Sequence, residues 1–220
     1  MSKLSQNKSG GKQGLNGNII ISSWKGIDYI RSSPETIRDP KTPGQLAQRR
    51  KFALINSIIS PLLPFIRIGF GSNSGRRTAY NAAISYNLKH ALKGDPSNPE
   101  IDFQKVAFSR GPFPVVENAE CRSVGRHSVQ LSWKAEPIPA RASPNDRIMA
   151  ILYNETKRES TYFLQLALRS EGSVEVVLPA AYAGDTIHCY LSVMDISKAI
   201  SGDAEHGISN SCYSGNLTLA

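Results

Sequence analysis

Residues 39–70 read DPKTPGQLAQRRKFALINSIISPLLPFIRIGF, and this stretch decides how the first half of the chain folds. Thr42 can serve as an N-cap, Pro43 falls at the first helical position, and Gln45 stands three residues after the cap. That is the capping-box spacing, in which the Thr and Gln side chains each satisfy a backbone N–H left open at a helix start. On a 3.6-residue period Phe52, Leu54, Ile55, Ile58, Ile59 and Leu62 share one broad face. Arg49, Arg50, Asn56 and Ser57 share the other. The spacing predicts a helix over 43–59, halted by the missing backbone donor of Pro61. PLLPFIRIGFG is then expected to cross the core as an extended or irregular segment. An apolar face this wide has to be buried against the rest of the chain.

Charge is divided unevenly around that helix. Residues 1–110 carry 17 Lys/Arg against 6 Asp/Glu, and residues 111–220 carry 9 against 12. The net charge of +8 is therefore +11 in the first half and −3 in the second. The first half should attract polyanions, and the two halves permit head-to-tail association of copies. The N-terminal MSKLSQNKSGGKQG has no apolar h-region. Residues 58–70 are interrupted by Ser60, Pro61, Pro64 and Arg67, short of the roughly 18 apolar residues that span a bilayer. The expectation is a chain with no membrane span, cytoplasmic by default or exported without a standard leader. Cys121, Cys189 and Cys212 are an odd set without CxxC spacing, which reads as buried thiols and not as a zinc site.

Upstream of the helix, residues 1–13 are polar and basic and are expected to form a flexible arm. Residues 18–31 give a β-hairpin broken at Lys25-Gly26. Downstream, Tyr80, Ala83, Ile84, Leu88, Ala91 and Leu92 predict a second helix over 76–93, with Gly94 as its left-handed terminator. Residues 101–110 alternate as a strand, and 112–117 are read as a linker. Beyond them the pattern changes to about seven short β-rich runs: SVQLSW, IMAILY, TYFLQLAL, SVEVVL and TIHCYLSV are the clearest. The expected architecture is an α+β module over 14–111, built of a hairpin and two helices, followed by an all-β sandwich over 118–220.

The order SVQLSW, IMAILYN, SVEVVLPAAYAGDTIHCYLSVMD and SNSCYSGNLTL resembles a fibronectin type III domain, with Trp133 in the place of the core tryptophan on the second strand. Ile187 stands near where a tyrosine is usual in that fold. The first half resembles a bacterial family of unknown function. The resemblance rests on Ser22-Ser23-Trp24-Lys25-Gly26 with Tyr29 and Arg31, on Pro40-Lys41-Thr42 with Gln45, and on Ala47-Gln48-Arg49 with Lys51-Phe52. It continues through Pro64-Phe65-Ile66, Gly69-Phe70, Asn81-Ala82-Ala83, Tyr86-Asn87 and Ser109-Arg110-Gly111. Neither resemblance implies a catalytic residue or a cofactor.

Two candidate sites follow from the residues themselves. Trp24, Lys25, Tyr29 and Arg31 form an aromatic and basic hairpin that can contact a neighbouring subunit or stack on bases, or cover the end of the helical core. Arg49, Arg50 and Lys51 with Arg76 and Arg77 form a candidate polyanion site, the alternative being a solvated helix face. His90, His127, His188 and His206 show no metal or triad spacing, and the carboxylates show no acid/base pairing. The glycine-rich stretches lack P-loop register. No metal, no cofactor and no small-molecule substrate is expected. The chain reads as a non-enzymatic structural or assembly protein whose partners are further copies or other subunits, the alternative being nucleic-acid binding by the basic half.

Overall fold

Residues 128–134, SVQLSWK, place Val129, Leu131 and Trp133 on one side of a strand, and the computed structural model buries all three. It describes residues 5–6, 12–16, 19–24, 27–32, 39–71, 77–95, 98–200 and 207–219. The chain forms two compact units, Met1–Thr42 and Pro43–Ala220.

The first unit is an antiparallel sheet in the order β1-β2-β3-β4: β1 is Ser5–Gln6, β2 Lys12–Asn16, β3 Ile19–Trp24 and β4 Ile27–Ser32. The hairpin turns at the expected place, with Trp24 opposite Ile27. Within the expected basic arm, Ser5–Gln6 and Lys12–Asn16 are strands; the other residues of 1–11 lie outside the described residues. Polar Lys12–Asn16 joins through its backbone, Gly14 opposite Ile21 and Asn16 opposite Ile19, which needs no apolar side chain.

The second unit begins with helix α1, Pro43–Ile59, at the expected bounds. Its apolar face divides along its length: Ile55, Ile58 and Ile59 are buried, whereas Phe52 is 47% exposed. Phe52 lies one turn before Ile55 on the same face, so the periodicity is correct and the packing surface stops short of it. The chain then departs from the expected extended crossing. Ser60–Leu62 is a single 3-10 turn and Leu63–Gly69 is helix α2. Both start with a proline in the first turn, where the missing N–H has no helical acceptor to lose. The run Pro43–Gly69 is thus long and apolar enough, by length and composition, to cross a membrane. Its Ile55, Ile58, Ile59, Leu62, Phe65 and Ile66 are instead spent on the core of this unit. Helix α3, Ala79–His90, is capped by Thr78, whose side chain accepts from the Asn81 N–H at 3.1 Å. α3 ends at His90, short of the expected 93, so Gly94, although left-handed, does not terminate it and lies instead within a short hairpin of β5, Leu92–Asp95, and β6, Asn98–Ile101. The strand expected over 101–110 is a 3-10 turn at Phe103–Lys105 and then irregular chain.

Seven strands complete the unit: β7 Glu117–Ser123, β8 Ser128–Lys134, β9 Arg147–Asn154, β10 Glu159–Leu168, β11 Ser173–Val177, β12 Thr186–Met194 and β13 Cys212–Thr218. They form one sheet in the order β10-β9-β12-β13 and another in the order β11-β8-β7. This is the fibronectin type III arrangement that the strand pattern predicts. The indole N–H of Trp133 donates to the Arg169 carbonyl at 2.8 Å, and buried Arg169 pairs with Asp146 at 3.2 Å. At the place usual for a corner tyrosine, Ile187 is fully buried apolar core.

β9 and β12 are buried on both faces. Ile148, Ala150, Leu152, Ile187, Cys189, Leu191 and Val193 face the inside of the sandwich. Met149, Ile151, Tyr153, Tyr190 and Met194 face the core that α1, α2 and α3 complete. Helices, four-stranded sheet and three-stranded sheet therefore make three layers, and the expected linker 112–117 lies inside one compact unit. Phe113 within it is buried and donates its N–H to the Ile208 carbonyl at 3.1 Å.

Residues 106–111 thread between the layers, and polar side chains hold them. Asn87, fully buried on α3, donates to the Ala107 carbonyl at 2.8 Å and accepts the Ala107 N–H at 2.9 Å. Its amide also donates to the Ala83 carbonyl at 3.0 Å. From the other side Ser211 Oγ accepts the Phe108 N–H at 3.0 Å, and the Ser211 N–H reaches the Ser109 carbonyl at 3.0 Å. The Arg110 N–H donates to the Gly69 carbonyl at 2.8 Å. A Cβ on Gly69 would lie 2.4 Å from the Phe108 oxygen, and one on Gly111 2.0 Å from the Ile208 oxygen. These two positions tolerate only glycine.

Two outcomes follow. Ile59→Ala should destabilise the second unit by about 2–5 kcal/mol, and helical ellipticity and near-ultraviolet ellipticity should lose structure at one common urea midpoint. Separate midpoints would mean that helices and sandwich do not share a core. Asn87→Ala strands two buried backbone groups of Ala107 and should cost at least about 2 kcal/mol, read from the same curves.

Candidate functional site

Of the hairpin residues singled out from sequence, Tyr29 and Arg31 lie on β4, the edge strand of the first unit's sheet. Among the described residues β4 pairs only with β3, and all six of its residues are exposed, Ile27 at 65%, Tyr29 at 46% and Ile30 at 69%. Tyr29 and Arg31 are two apart and so project from one face; Tyr29 is opposite Ser22 and Arg31 opposite Ile20. Trp24 ends β3 in register with Ile27, and Lys25 lies outside the described residues.

The arginines of α1 and Arg77 lie on separate elements. Arg49 and Arg50 are exposed and Lys51 is half-buried, all in the middle of α1 and away from its N-terminal amides. The Tyr80 hydroxyl donates to the Asn56 side chain, which sets the start of α3 beside the later turns of α1, about 10 Å along the axis from Arg49. Arg77 precedes the α3 cap and donates to Ser85 Oγ at 3.4 Å. Arg49, Arg50 and Arg77 each have an interaction partner within the chain; Arg76 lies outside the described residues.

Positive charge gathers elsewhere, along a groove between α3, residues 104–110 and Asn210–Ser211. Its larger lobe is about 680 Å3 and a second lobe about 460 Å3, and Tyr86, Lys89, His90 and Arg110 line both. Tyr86 and His90 are one helical turn apart, with rings 4.4 Å between centroids, and the Arg110 guanidinium lies 4.3 Å from the Tyr86 ring centre. Lys105 and Arg77 stand at the two ends. Among the described residues no carboxylate lines either lobe, although Lys105 pairs with nearby Asp102 at 3.0 Å. The walls are fixed by the Asn87 and Ser211 bonds described above. A rigid, basic, ring-bearing groove can hold an oxyanion or a phosphodiester chain. Sequence reasoning reached Tyr86 and Arg110 only as signature residues, because the contact spans 24 positions.

His188 has a different setting. It is buried on β12, its Nε2 2.9 Å from Glu155 Oε2 and its Nδ1 2.9 Å from the Tyr213 hydroxyl, with the Phe103 ring stacked at 3.9 Å. The Tyr190 hydroxyl donates to the Phe103 carbonyl at 2.7 Å. Burial pushes the Tyr213 phenol up to about 12 and the Tyr190 phenol well above its ordinary value. Both ring nitrogens of His188 are occupied, so the cluster keys the 3-10 turn at Phe103–Lys105 onto the sandwich. Among the described residues no three His, Cys, Asp or Glu side chains converge as metal ligands.

No curated protein matches the sequence. Among solved structures, the solution structure of the fn3 domain of human collagen alpha-1(XX) chain is similar at 14% identity. That likeness covers 50% of this chain and 84% of the collagen domain, with a TM-score of 0.34; the strand order described above carries the fold assignment by itself. A family model spans nearly everything that has been described, from β2 to β13, matching residues 11–215. The chain belongs to the family of unknown function DUF6266.

Proposed function

We propose that this protein is a non-enzymatic assembly protein that joins a second copy of itself along β4. The observation that carries the reading is the unprotected edge. β4 ends the sheet β1-β2-β3-β4, so a row of its backbone N–H and C=O groups has no strand partner among the described residues. Edges of this kind are guarded in monomeric proteins by charged side chains, lysine above all, by proline or by a bulge. IDYIRS has the charges of Asp28 and Arg31 but no lysine, proline or bulge, and it exposes Ile27, Tyr29 and Ile30. The divided net charge and the sandwich, a fold widely used for contacts between proteins, support the same reading.

The sequence of β4 also suits pairing with itself. A two-fold axis normal to the sheet keeps every residue on its own face, so opposed residues must share parity. Centred on Ile30, the register sets Ile30 against Ile30, Tyr29 against Arg31 and Asp28 against Ser32 of the other copy. This gives an apolar pair on the axis flanked by two cation–π pairs. Centred on Tyr29, it would set Asp28 against Ile30. The first register is the one proposed, and it gives Tyr29 and Arg31 their role.

Size-exclusion chromatography with light scattering, at micromolar protein and at low and high salt, should show a dimer. Ile30→Lys opposes two like charges on the axis and should raise the dimer Kd at least about tenfold. A strictly monomeric wild type in both salts would sink the proposal.

The second reading is nucleic-acid binding, and the groove favours it more than the α1 arginines do. Fluorescence anisotropy of the whole chain with a labelled single-stranded oligonucleotide tests it. The double variant Lys89→Glu/Arg110→Glu should abolish binding, while Arg49→Ala/Arg50→Ala should leave it nearly unchanged. A wild type that does not bind at about 0.1 M salt removes this reading.

A further inference from the structure

Cys121 and Cys189 belong to different sheets. Cys121 is half-exposed on β7, the edge strand of β11-β8-β7, and Cys189 is fully buried on β12 in the centre of the larger sheet. Both pack in the core between the sheets. The residue opposite Cys189 on β13 is Gly215. A Cβ built there would lie 3.3 Å from the Cys121 sulfur, and Gly215 has φ +118°, a backbone state that side chains rarely adopt. The missing side chain therefore leaves the room through which the Cys121 sulfur reaches across the gap. It lies against the Gly215 backbone, and so beside the strand position of Cys189. Cys212 stands opposite Leu191, two residues along β12 from Cys189. All three cysteines are free thiols.

We propose that Cys121 and Cys189 are a modification site: a thiol pair that closes to a disulfide bolting one sheet to the other. The oxidant is a small-molecule disulfide. Cys121, as thiolate, attacks one sulfur of the oxidant and expels the other as a thiolate, leaving a mixed disulfide on Cys121. Cys189 then loses its proton and attacks the Cys121 sulfur, and the second small thiol departs. Two protein thiols lose two hydrogens and two electrons, and the oxidant disulfide becomes two thiols. The order of attack follows from the setting. The interaction with Cys189 holds the Cys121 thiol below its ordinary value, whereas the interaction with Cys121 and burial push Cys189 well above it. Burial also pushes Cys212 up, so it is the poorer nucleophile.

The test uses the whole reduced chain incubated with oxidised glutathione, followed by thiol counting in denaturant and peptide mapping by mass spectrometry. Two of the three thiols should disappear, the product should be lighter by two hydrogens, and the linked peptides should contain Cys121 and Cys189. Cys212→Ser should behave identically. Cys121→Ser, close to isosteric and at a half-exposed position, should fold and form no bond. Retention of all three thiols, a link that includes Cys212, or a product that stops as a glutathione adduct on Cys121 would each overturn the proposal.

Discussion

A sheet wetted on neither face is the constraint on which the second unit rests. β9 and β12 must be covered twice, once by the three-stranded sheet and once by the helices, and a chain that supplied only one cover would leave Met149, Ile151 and Tyr190 in water. The length of the α1–α2 run follows from this requirement. So does the irregular path of 106–111, which has to pass between layers and cannot pair as a strand. Because that segment is dry, its amides need internal partners, and Asn87 and Ser211 provide them from opposite sides.

The family signature takes on physical content in this light. Gly69, Asn87, Ser109 and Gly111 are all parts of the same seam between helices and sandwich: two close approaches, one amide clasp, and a hydroxyl that donates to the Ser209 carbonyl at 2.9 Å. Tyr86 and Arg110, next to two of these, are half-buried and meet as a stacked pair at the border of the seam. That part of the signature is therefore mostly architecture. Its surface parts are Tyr29 and Arg31 on β4 and Gln45, Gln48, Arg49 and Phe52 on α1.

Much of the fold was legible because local rules and tertiary needs agreed. α1 starts where Thr42 and Pro43 say it should, and Val129, Leu131 and Trp133 alternate as a half-buried strand must. The misreadings arose where they disagreed. Pro61 and Pro64 look like breakers, yet each opens a new helical turn, a place where proline costs nothing. Phe52 obeys the helical period and still faces solvent, because period reports direction and not the extent of the neighbouring surface. The run 101–110 alternates like a strand, yet beyond Ile101 none of it is paired as a strand. Of the candidate site, the Tyr86–His90 spacing was visible in the sequence, but Arg110 joins it only through the seam.

The helical layer has a consequence for how the sandwich can be used. In a free-standing module of this type the larger sheet offers a broad flank for recognition, and here that flank is permanently occupied by the molecule's own helices. What remains is the smaller sheet, where Val177 and Val124 lie open to solvent, together with the loops at the two ends. Any contact made by this half of the protein must be read from those narrower surfaces.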